Sequence, residues 1–100
     1  IPTDNTAASC SETIGNIVRD KKVPVVAGEK GICAGCGVAT LSISYYDLGV
    51  KTGEMAAKIL KGEAKVSDMP IEYASATKMY NAAICEELGI TIPDGYTAIA

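Results

Sequence analysis

Two cysteines separated by two residues form a motif with potential redox or metal chemistry. Cys33 and Cys36 make a CxxC sequence, and such pairs serve in thiol–disulfide exchange or supply half of a zinc site. A thioredoxin-like pair begins a helix, whereas this pair is predicted to lie in a glycine-rich loop that enters a strand. A zinc ribbon would need a second pair. We therefore expect free or structural thiols first, a local disulfide between Cys33 and Cys36 second, and a metal site third.

Other catalytic and metal chemistries find little support in the sequence. Cys10 and Cys85 are single cysteines in apolar helical patterns and are interpreted as small buried hydrophobic residues. Histidine is absent, which excludes Ser-His-Asp and Cys-His catalysis and histidine-based metal sites. The glycines of residues 31–37 precede a strand and lack the GK[ST] ending of a phosphate loop. No enzymatic activity and no cofactor are expected.

Polar side chains follow predicted strands and could contact a ligand there. Asp4 and Asn5 follow an extended segment and precede a helix, so ligand contact and helix capping are equally supported. Glu29 follows the next strand, and its carboxylate could accept hydrogen bonds from an ammonium or hydroxyl group, or be an ordinary surface residue. Ser42 and Ser44 share a face by alternation and could bind a polar ligand, although bonding to local backbone is favoured.

Two tyrosines follow the second serine. Tyr45 could stack on a planar ligand, whereas Tyr46 is expected in the core. The residues predicted to bind a ligand are therefore Asp4, Asn5, Glu29, Ser42, Ser44 and Tyr45.

Hydrophobic periodicity predicts an alternation of helices and strands. Residues 23–27 are apolar on both faces, as is typical of a buried parallel strand. The pattern as a whole predicts a three-layer α/β fold with a parallel sheet, in which ligands collect at the carboxyl ends of strands. Helices are predicted near 6–22, 45–61 and 82–88, strands near 23–27, 38–43 and 77–80, and a further extended segment at 71–73.

Composition restricts the class of protein. The 100 residues are 48% hydrophobic and 21% charged, which is ordinary for one globular domain. The net charge is −3, and no run of basic residues exceeds two, so nucleic-acid binding is not expected. No apolar stretch approaches the ~20 residues that span a bilayer. Neither a signal peptide nor an initiator Met opens the chain, so a processed piece is expected.

Three stretches of sequence resemble a known family. They are YYDLGVKTGEMAAKILKGEAKVSDMPIEY (45–73), PTDN (2–5) and VPVVAGEKG (23–31). The chain resembles the substrate-binding proteins of bacterial ABC importers, in the type I periplasmic-binding-protein superfamily and its aromatic amino acid uptake branch. The resemblance covers nearly the whole chain, which corresponds to about the last third of such a protein. It departs from the family pattern at Ser42 and Ser44, where Gly and Asp are more usual, and at Cys33 to Cys36.

The resemblance implies a structure and a role. It implies a clamshell of two Rossmann-like lobes, of which residues 1–100 form a partial domain and residues 44–62 cross to the other lobe and back. A small molecule, such as an amino acid or aromatic compound, would be held between the lobes and delivered to an ABC permease in the membrane. The complete protein would be periplasmic, or lipid-anchored on the extracellular side of the cell membrane. An isolated fragment would expose the apolar face of helix 45–61 and could self-associate through it.

Two other functions remain as alternatives at this point. One is a thiol-redox or metal-binding domain that uses the CxxC pair. The other is the sensor domain of a transcriptional regulator, because such regulators share the type I architecture.

Overall fold

The computed structural model describes residues 1–99 as an α/β fold. The strands form one sheet in the order β1-β2-β3-β4. β1 pairs with β2 and β3 pairs with β4, both in parallel, and the predicted α/β fold class with parallel pairing is confirmed. The elements in chain order are α1 (Asn5–Ser9), α2 (Ser11–Asp20), β1 (Val26–Ala27), α3 (Lys30–Cys36), β2 (Ala39–Ile43), α4 (Tyr45–Leu60), a 3₁₀ turn (Val66–Asp68), β3 (Ala76–Tyr80), α5 (Ala82–Leu88) and β4 (Thr97–Ala98).

The chain divides into two compact units. The first comprises residues 1–42 and the C-terminal part from residue 77, and the second comprises residues 43–76. All buried residues belong to the first unit, whereas residues 43–76, which carry α4 and the 3₁₀ turn, include none. Within residues 1–99, no helix has the length and hydrophobicity needed to cross a membrane.

Two small clusters form the core of the first unit. The larger contains Ala27 of β1 with three residues of α3, and half-buried side chains of α1 and α2 pack against it. The smaller joins Val38 to residues of α5. The buried members are Ala27, Ile32, Cys33 and Cys36 in the first cluster, and Val38, Ile84 and Cys85 in the second. Helix α3 therefore supplies all three of the largest fully buried side chains within residues 1–99, Ile32, Cys33 and Cys36.

The prediction that residues 28–37 form a loop is wrong, because most of this stretch is helix α3. Glu29 caps the helix: its carboxylate accepts hydrogen bonds from the backbone N–H of Gly31, at 2.8 Å, and of Ile32. Gly35 of α3 allows the helix to pack closely and does not mark a turn, since a Cβ at this position would lie 2.4 Å from the Oγ of Ser11. The CxxC pair thus lies inside a short helix and not in a loop.

The single helix predicted over 6–22 is interrupted at Cys10. The hydroxyl of Ser9 donates to the carbonyl of Thr6 at 2.7 Å, a local bond that competes with regular helix geometry, and α2 begins at Ser11. Cys10 is exposed, so its predicted burial is also wrong. Gly15 of α2, beyond the break, lies against Gly35 of α3.

The boundaries of α4, α5, β2 and β3 lie within one residue of the predictions, whereas that of β1 does not. Helix α4 begins at Tyr45 and α5 ends at Leu88, as predicted, and Gly89 follows α5 with the left-handed φ of 69°. Strand β1 is shorter than predicted because Pro24 has no N–H to donate. The two-residue strand β4 was not predicted, and residues 71–73 form no strand.

Three thiols lie buried near one another. Cys33, Cys36 and Cys85 donate to the backbone carbonyls of Gly37 at 3.5 Å, Ile32 at 3.3 Å and Val38 at 3.3 Å, respectively. Burial raises the pKa of Cys33 to about 11, and the neighbouring Cys36, Cys85 and Glu29 add to the rise. All four cysteines are free thiols, which favours the first of the sequence-based alternatives. Within residues 1–99, no group of three His, Cys, Asp or Glu side chains is placed to hold a metal.

Helix α2 crosses α3 at a contact that leaves no room for a side chain. A Cβ on Gly15 would lie 2.3 Å from the carbonyl oxygen of Gly35, which is backbone and cannot swing away. We expect Gly15→Ala to lower the free energy of unfolding by about 1–3 kcal/mol through overpacking. Gly53→Ala in α4 is the matched control: nothing lies within 4 Å of a Cβ there, and the change should be neutral or stabilising by up to about 1 kcal/mol. Urea unfolding followed by circular dichroism measures both, and equal effects would contradict the crossing geometry.

The raised pKa of Cys33 makes stability depend on pH in the alkaline range. The unfolded thiol ionises near pH 9, whereas the folded thiol keeps its proton until about pH 11. The folded state therefore binds more protons in this window, and the stabilisation present below pH 9 is lost as the pH rises to about 11. We expect a loss of about 1–3 kcal/mol from this thiol. Cys33→Ala should reduce the total loss, leaving the part due to Cys36 and Cys85, whose pKa values burial also raises, and Cys10→Ser should leave it unchanged. Urea unfolding at pH 8 and pH 10.5 tests this, and an unaltered pH slope in Cys33→Ala would refute it.

Candidate functional site

An extended segment at the start of the chain runs alongside β1. The backbone nitrogen of Ile1 donates to the carbonyl of Val26 at 2.8 Å, and the N–H of Gly28 donates to the carbonyl of Ile1 at 2.7 Å. One residue bonded on both sides in this way is the pattern of a parallel pair. The hydroxyl of Thr3 adds a bond to the carbonyl of Gly28 at 3.2 Å. The turns that follow the two segments therefore lie side by side.

Gly28 permits this close approach. A Cβ at this position would lie 2.6 Å from the backbone nitrogen of Thr3 and 2.9 Å from the carbonyl carbon of Pro2. Both neighbours are main-chain atoms, so a side chain would push the two segments apart. Sequence reasoning identified Gly28 only as the start of a loop, because a close approach between distant segments leaves no local signal.

Asp4 and Asn5 occupy the first of these turns. The Oδ1 of Asp4 accepts a hydrogen bond from the N–H of Ala7 at 2.8 Å and caps α1, of which Asn5 is the first residue. Both side chains are exposed. Capping is therefore present at Asp4, yet a carboxylate can accept about four hydrogen bonds, so the group retains capacity for a ligand donor.

Glu29 and Ser42 meet at the start of α3. Both carboxylate oxygens of Glu29 bond the first N–H groups of that helix. The Oγ of Ser42 accepts a hydrogen bond from the N–H of Lys30 at 3.1 Å, which fixes the end of β2 against the helix. Ser42 is buried, with 4% of its surface exposed. Its hydroxyl bonds to the backbone, which is the alternative to ligand binding that the sequence favoured.

Ser44 and Tyr45 belong to the second unit. The Oγ of Ser44 accepts a hydrogen bond from the N–H of Asp47 at 3.1 Å and caps α4. Tyr45 begins that helix and is 59% exposed. Tyr46 is 80% exposed, so the prediction that it is a core residue is wrong. The reason is that residues 43–76 contribute no buried core of their own.

The first unit thus brings four of the six predicted ligand-binding residues to one edge. Asp4, Asn5, Glu29 and Ser42 follow, or end, the neighbouring extended segments. The exposed Asp4 and Asn5 and the half-buried Glu29 carry two carboxylates and an amide, which suit a ligand that offers an ammonium or hydroxyl group. Sequence reasoning missed Thr40, which is 2% exposed and whose Oγ1 has no hydrogen-bond partner within residues 1–99. Its spacing of two from Ser42 was the available signal.

A polar groove of about 490 Å³ lies elsewhere on the first unit, along α2 and α3. One of its charged groups is already paired, since the Nε of Arg19 donates to Glu87 of α5 at 2.6 Å. None of the predicted ligand-binding residues lines this groove. Its lining residues are Ser11, Glu12, Asn16, Arg19, Gly31, Ala34 and Gly35.

Comparison with known proteins agrees with the resemblance seen in the sequence. The family described as "ABC transporter substrate binding protein" matches residues 1–100. A tyrosine-binding protein of Clostridioides difficile is 32% identical over 79 residues, which is 79% of this chain and 23% of that protein.

Solved structures show the same similarity in three dimensions. A ligand-free, open structure of a Clostridium difficile substrate binding protein with adhesive properties is 38% identical, with a TM-score of 0.76 over 98% of this chain and 34% of that one. An ABC domain in complex with L-Trp from Streptococcus pneumoniae is 35% identical, with a TM-score of 0.78 over 98% of this chain and 35% of that one. The matched part of the chain spans 23% to 35% of the length of these relatives, and the chain belongs to the ABC transporter substrate-binding protein family.

Proposed function

We propose that the chain is the carboxyl-terminal part of a solute-binding protein that captures an aromatic amino acid between two lobes and delivers it to an ABC permease. The observation that carries the proposal is the pairing of residues 1–3 with β1, which puts Asp4 and Glu29 at one edge of the sheet. A relative named as a tyrosine-binding protein and another solved with L-Trp support the ligand class.

The chemistry of this edge suits the polar end of an amino acid. The α-ammonium group of the ligand needs acceptors, and an exposed carboxylate such as that of Asp4 supplies a charge-assisted hydrogen bond. The amide of Asn5 can donate to the ligand carboxylate and also accept. Ser44 and Tyr45, which begin α4, remain proposed contacts, with Tyr45 stacking against a planar side chain.

Residues 44–62 are proposed to cross to the other lobe. Six large apolar side chains of this unit are at least 59% exposed, and we infer that they belong to a surface that the other lobe covers, since large uncovered apolar patches are uncommon on soluble proteins. They are Tyr45, Tyr46, Leu60, Val66, Ile71 and Tyr73. In the complete protein the other lobe would cover them, whereas an isolated fragment would pair with a second copy through helix 45–61.

A periplasmic or lipid-anchored location outside the cell membrane follows from this role. The relatives are binding proteins, and a protein that only carries its solute needs no catalytic group.

The redox alternative loses support because Cys33 and Cys36 are completely or almost completely buried. The second alternative, a regulator sensor domain, predicts a DNA-binding domain in the complete protein in place of an export signal.

Ligand binding should require both lobes. A clamshell site encloses about 70–90% of its ligand, so loss of one lobe removes polar partners as well as apolar burial. At ~0.5–1.5 kcal/mol for each lost neutral hydrogen bond, three lost contacts lower the affinity by about one to three orders of magnitude. Calorimetry with L-tyrosine and L-tryptophan should show binding to the complete protein and at least tenfold weaker binding to residues 1–100. Equal affinities would contradict a two-lobed site, and heat from neither amino acid would contradict the ligand class.

The charge of Asp4 can be tested apart from its capping role. Asparagine caps helices as well as aspartate does, so Asp4→Asn in the complete protein preserves α1 and removes only the charge. We expect about a tenfold or greater loss of affinity for L-tyrosine, since a charge-assisted bond contributes ~1.5–3 kcal/mol. The control is Asp20→Asn at the end of α2, which should bind as the unaltered protein does. If Asp4→Asn keeps full affinity and the same melting temperature, the ammonium is bound elsewhere.

A further inference from the structure

Asn81 joins the start of α5 to the end of α3. Its Oδ1 accepts a hydrogen bond from the N–H of Ile84 at 3.2 Å and caps α5. Its Nδ2 donates to two carbonyls of α3, those of Cys33 at 3.3 Å and Ala34 at 3.1 Å. Its backbone N–H donates to the carbonyl of Val38 at 3.0 Å. One side chain therefore bonds two helices, across 48 and 47 positions of the chain.

The contact with α3 explains why this cap is an asparagine. Serine, threonine and aspartate also cap helices well, but of these four residues only asparagine carries an amide group with two donor hydrogens. Cys33 and Ala34 are among the last four residues of α3, whose carbonyls have no partner inside the helix. The amide of Asn81 therefore supplies α3 with donors that the other capping residues could not.

The other end of α3 is held by two residues of the candidate site. The Oγ of Ser42 accepts a hydrogen bond from the N–H of Lys30, and the carboxylate of Glu29 accepts from the next two N–H groups. The helix has only seven residues and is too short to be stable alone, so its orientation depends on its neighbours. Because the Glu29 carboxylate is bonded to α3, its direction follows the direction of the helix.

We propose that Asn81 is a positioning residue for Glu29. By holding the carboxyl-terminal end of α3, it sets the direction in which the Glu29 carboxylate, at the amino-terminal end, meets a ligand. A helix of this length is about 10 Å long, so a small tilt at one end displaces the other. Binding groups must be held within about 0.5 Å of the productive geometry, and such a tilt would weaken the contact. The inference rests on the proposed function, because it assigns Glu29 a contact with the ligand.

Asn81→Asp separates the two roles of this side chain. Aspartate keeps an oxygen that caps α5, but it has no donor for the carbonyls of Cys33 and Ala34 and places a negative charge against them. In the complete protein we expect it to weaken binding of L-tyrosine or L-tryptophan about threefold to tenfold. Asn81→Ser, an uncharged cap, should act in the same direction. The matched control is Asn16→Asp, the same chemical change at an exposed position of α2, which should leave the affinity unchanged.

A double-mutant cycle with Glu29→Gln distinguishes positioning from a general loss of structure. If Asn81 acts through Glu29, Asn81→Asp should weaken binding by less than about twofold in a Glu29→Gln background, because the carboxylate that it positions is already absent. An equal loss of affinity in both backgrounds, or no loss in the original one, would overturn the proposal.

Thiol labelling tests the hold of Asn81 on α3 without a ligand. Cys33 and Cys36 are buried in α3, so a maleimide reaches them only after a local opening. In a Cys10→Ser background of the complete protein, Asn81→Asp should speed their labelling at least about fivefold, as read by mass spectrometry, and Asn16→Asp should not. Unaltered labelling would overturn the proposal whether or not an amino acid binds. If the unaltered protein binds neither amino acid, the proposed function is wrong, and with it the ligand role of Glu29, even where labelling shows that Asn81 holds α3.

Discussion

The hydrogen bonds between residues 1–3 and β1 are the interaction on which the rest of the first unit depends. They fix where the first turn lies relative to the second, and the accessible polar groups that the first unit contributes to the candidate site belong to those two turns. The bonds are possible only because Gly28 lets the backbone of Thr3 approach to a distance that no Cβ would allow. This backbone contact joins residues 25 positions apart in the chain. It determines the distance between the two turns, whereas the polar side chains on each turn come from the local sequence.

Capping gives the candidate site its rigidity. Asp4 and Glu29 each hold the first N–H groups of the helix that follows them. These bonds lock the rotamers of side chains that would otherwise be mobile on the surface, and they orient the carboxylates before a ligand arrives. Binding then costs less conformational entropy than it would with free side chains. Capping and ligand contact are therefore compatible roles, and at Asp4 an exposed carboxylate combines the first with room for the second.

The parts of the fold that the sequence predicts well are those with local causes. Helix α5 has its cap at Asn81 and its left-handed glycine at Gly89, and both appear in the sequence as recognisable end signals. Helix α3 was missed because its glycines imitate loop composition. The reason for a glycine at position 35 is the close packing of α2 against it, which the sequence does not show. The prediction that Tyr46 lies in the core is wrong for a similar reason. Hydrophobic periodicity identifies the apolar face of a helix but does not show which part of the protein covers that face.

The candidate site likewise has a part that the sequence predicts and a part that it does not. Asp4 and Glu29 could be proposed from their positions after strands, whereas the adjacency of their turns depends on a pairing between distant segments.

The most direct test of the proposed site is a crystal structure of the complete protein with L-tyrosine or L-tryptophan bound. The ligand ammonium should lie within hydrogen-bond distance of a side chain of Asp4, Asn5 or Glu29. An amino acid bound instead in the polar groove along α2 and α3, with no contact to residues 4, 5 or 29, would contradict the proposed site.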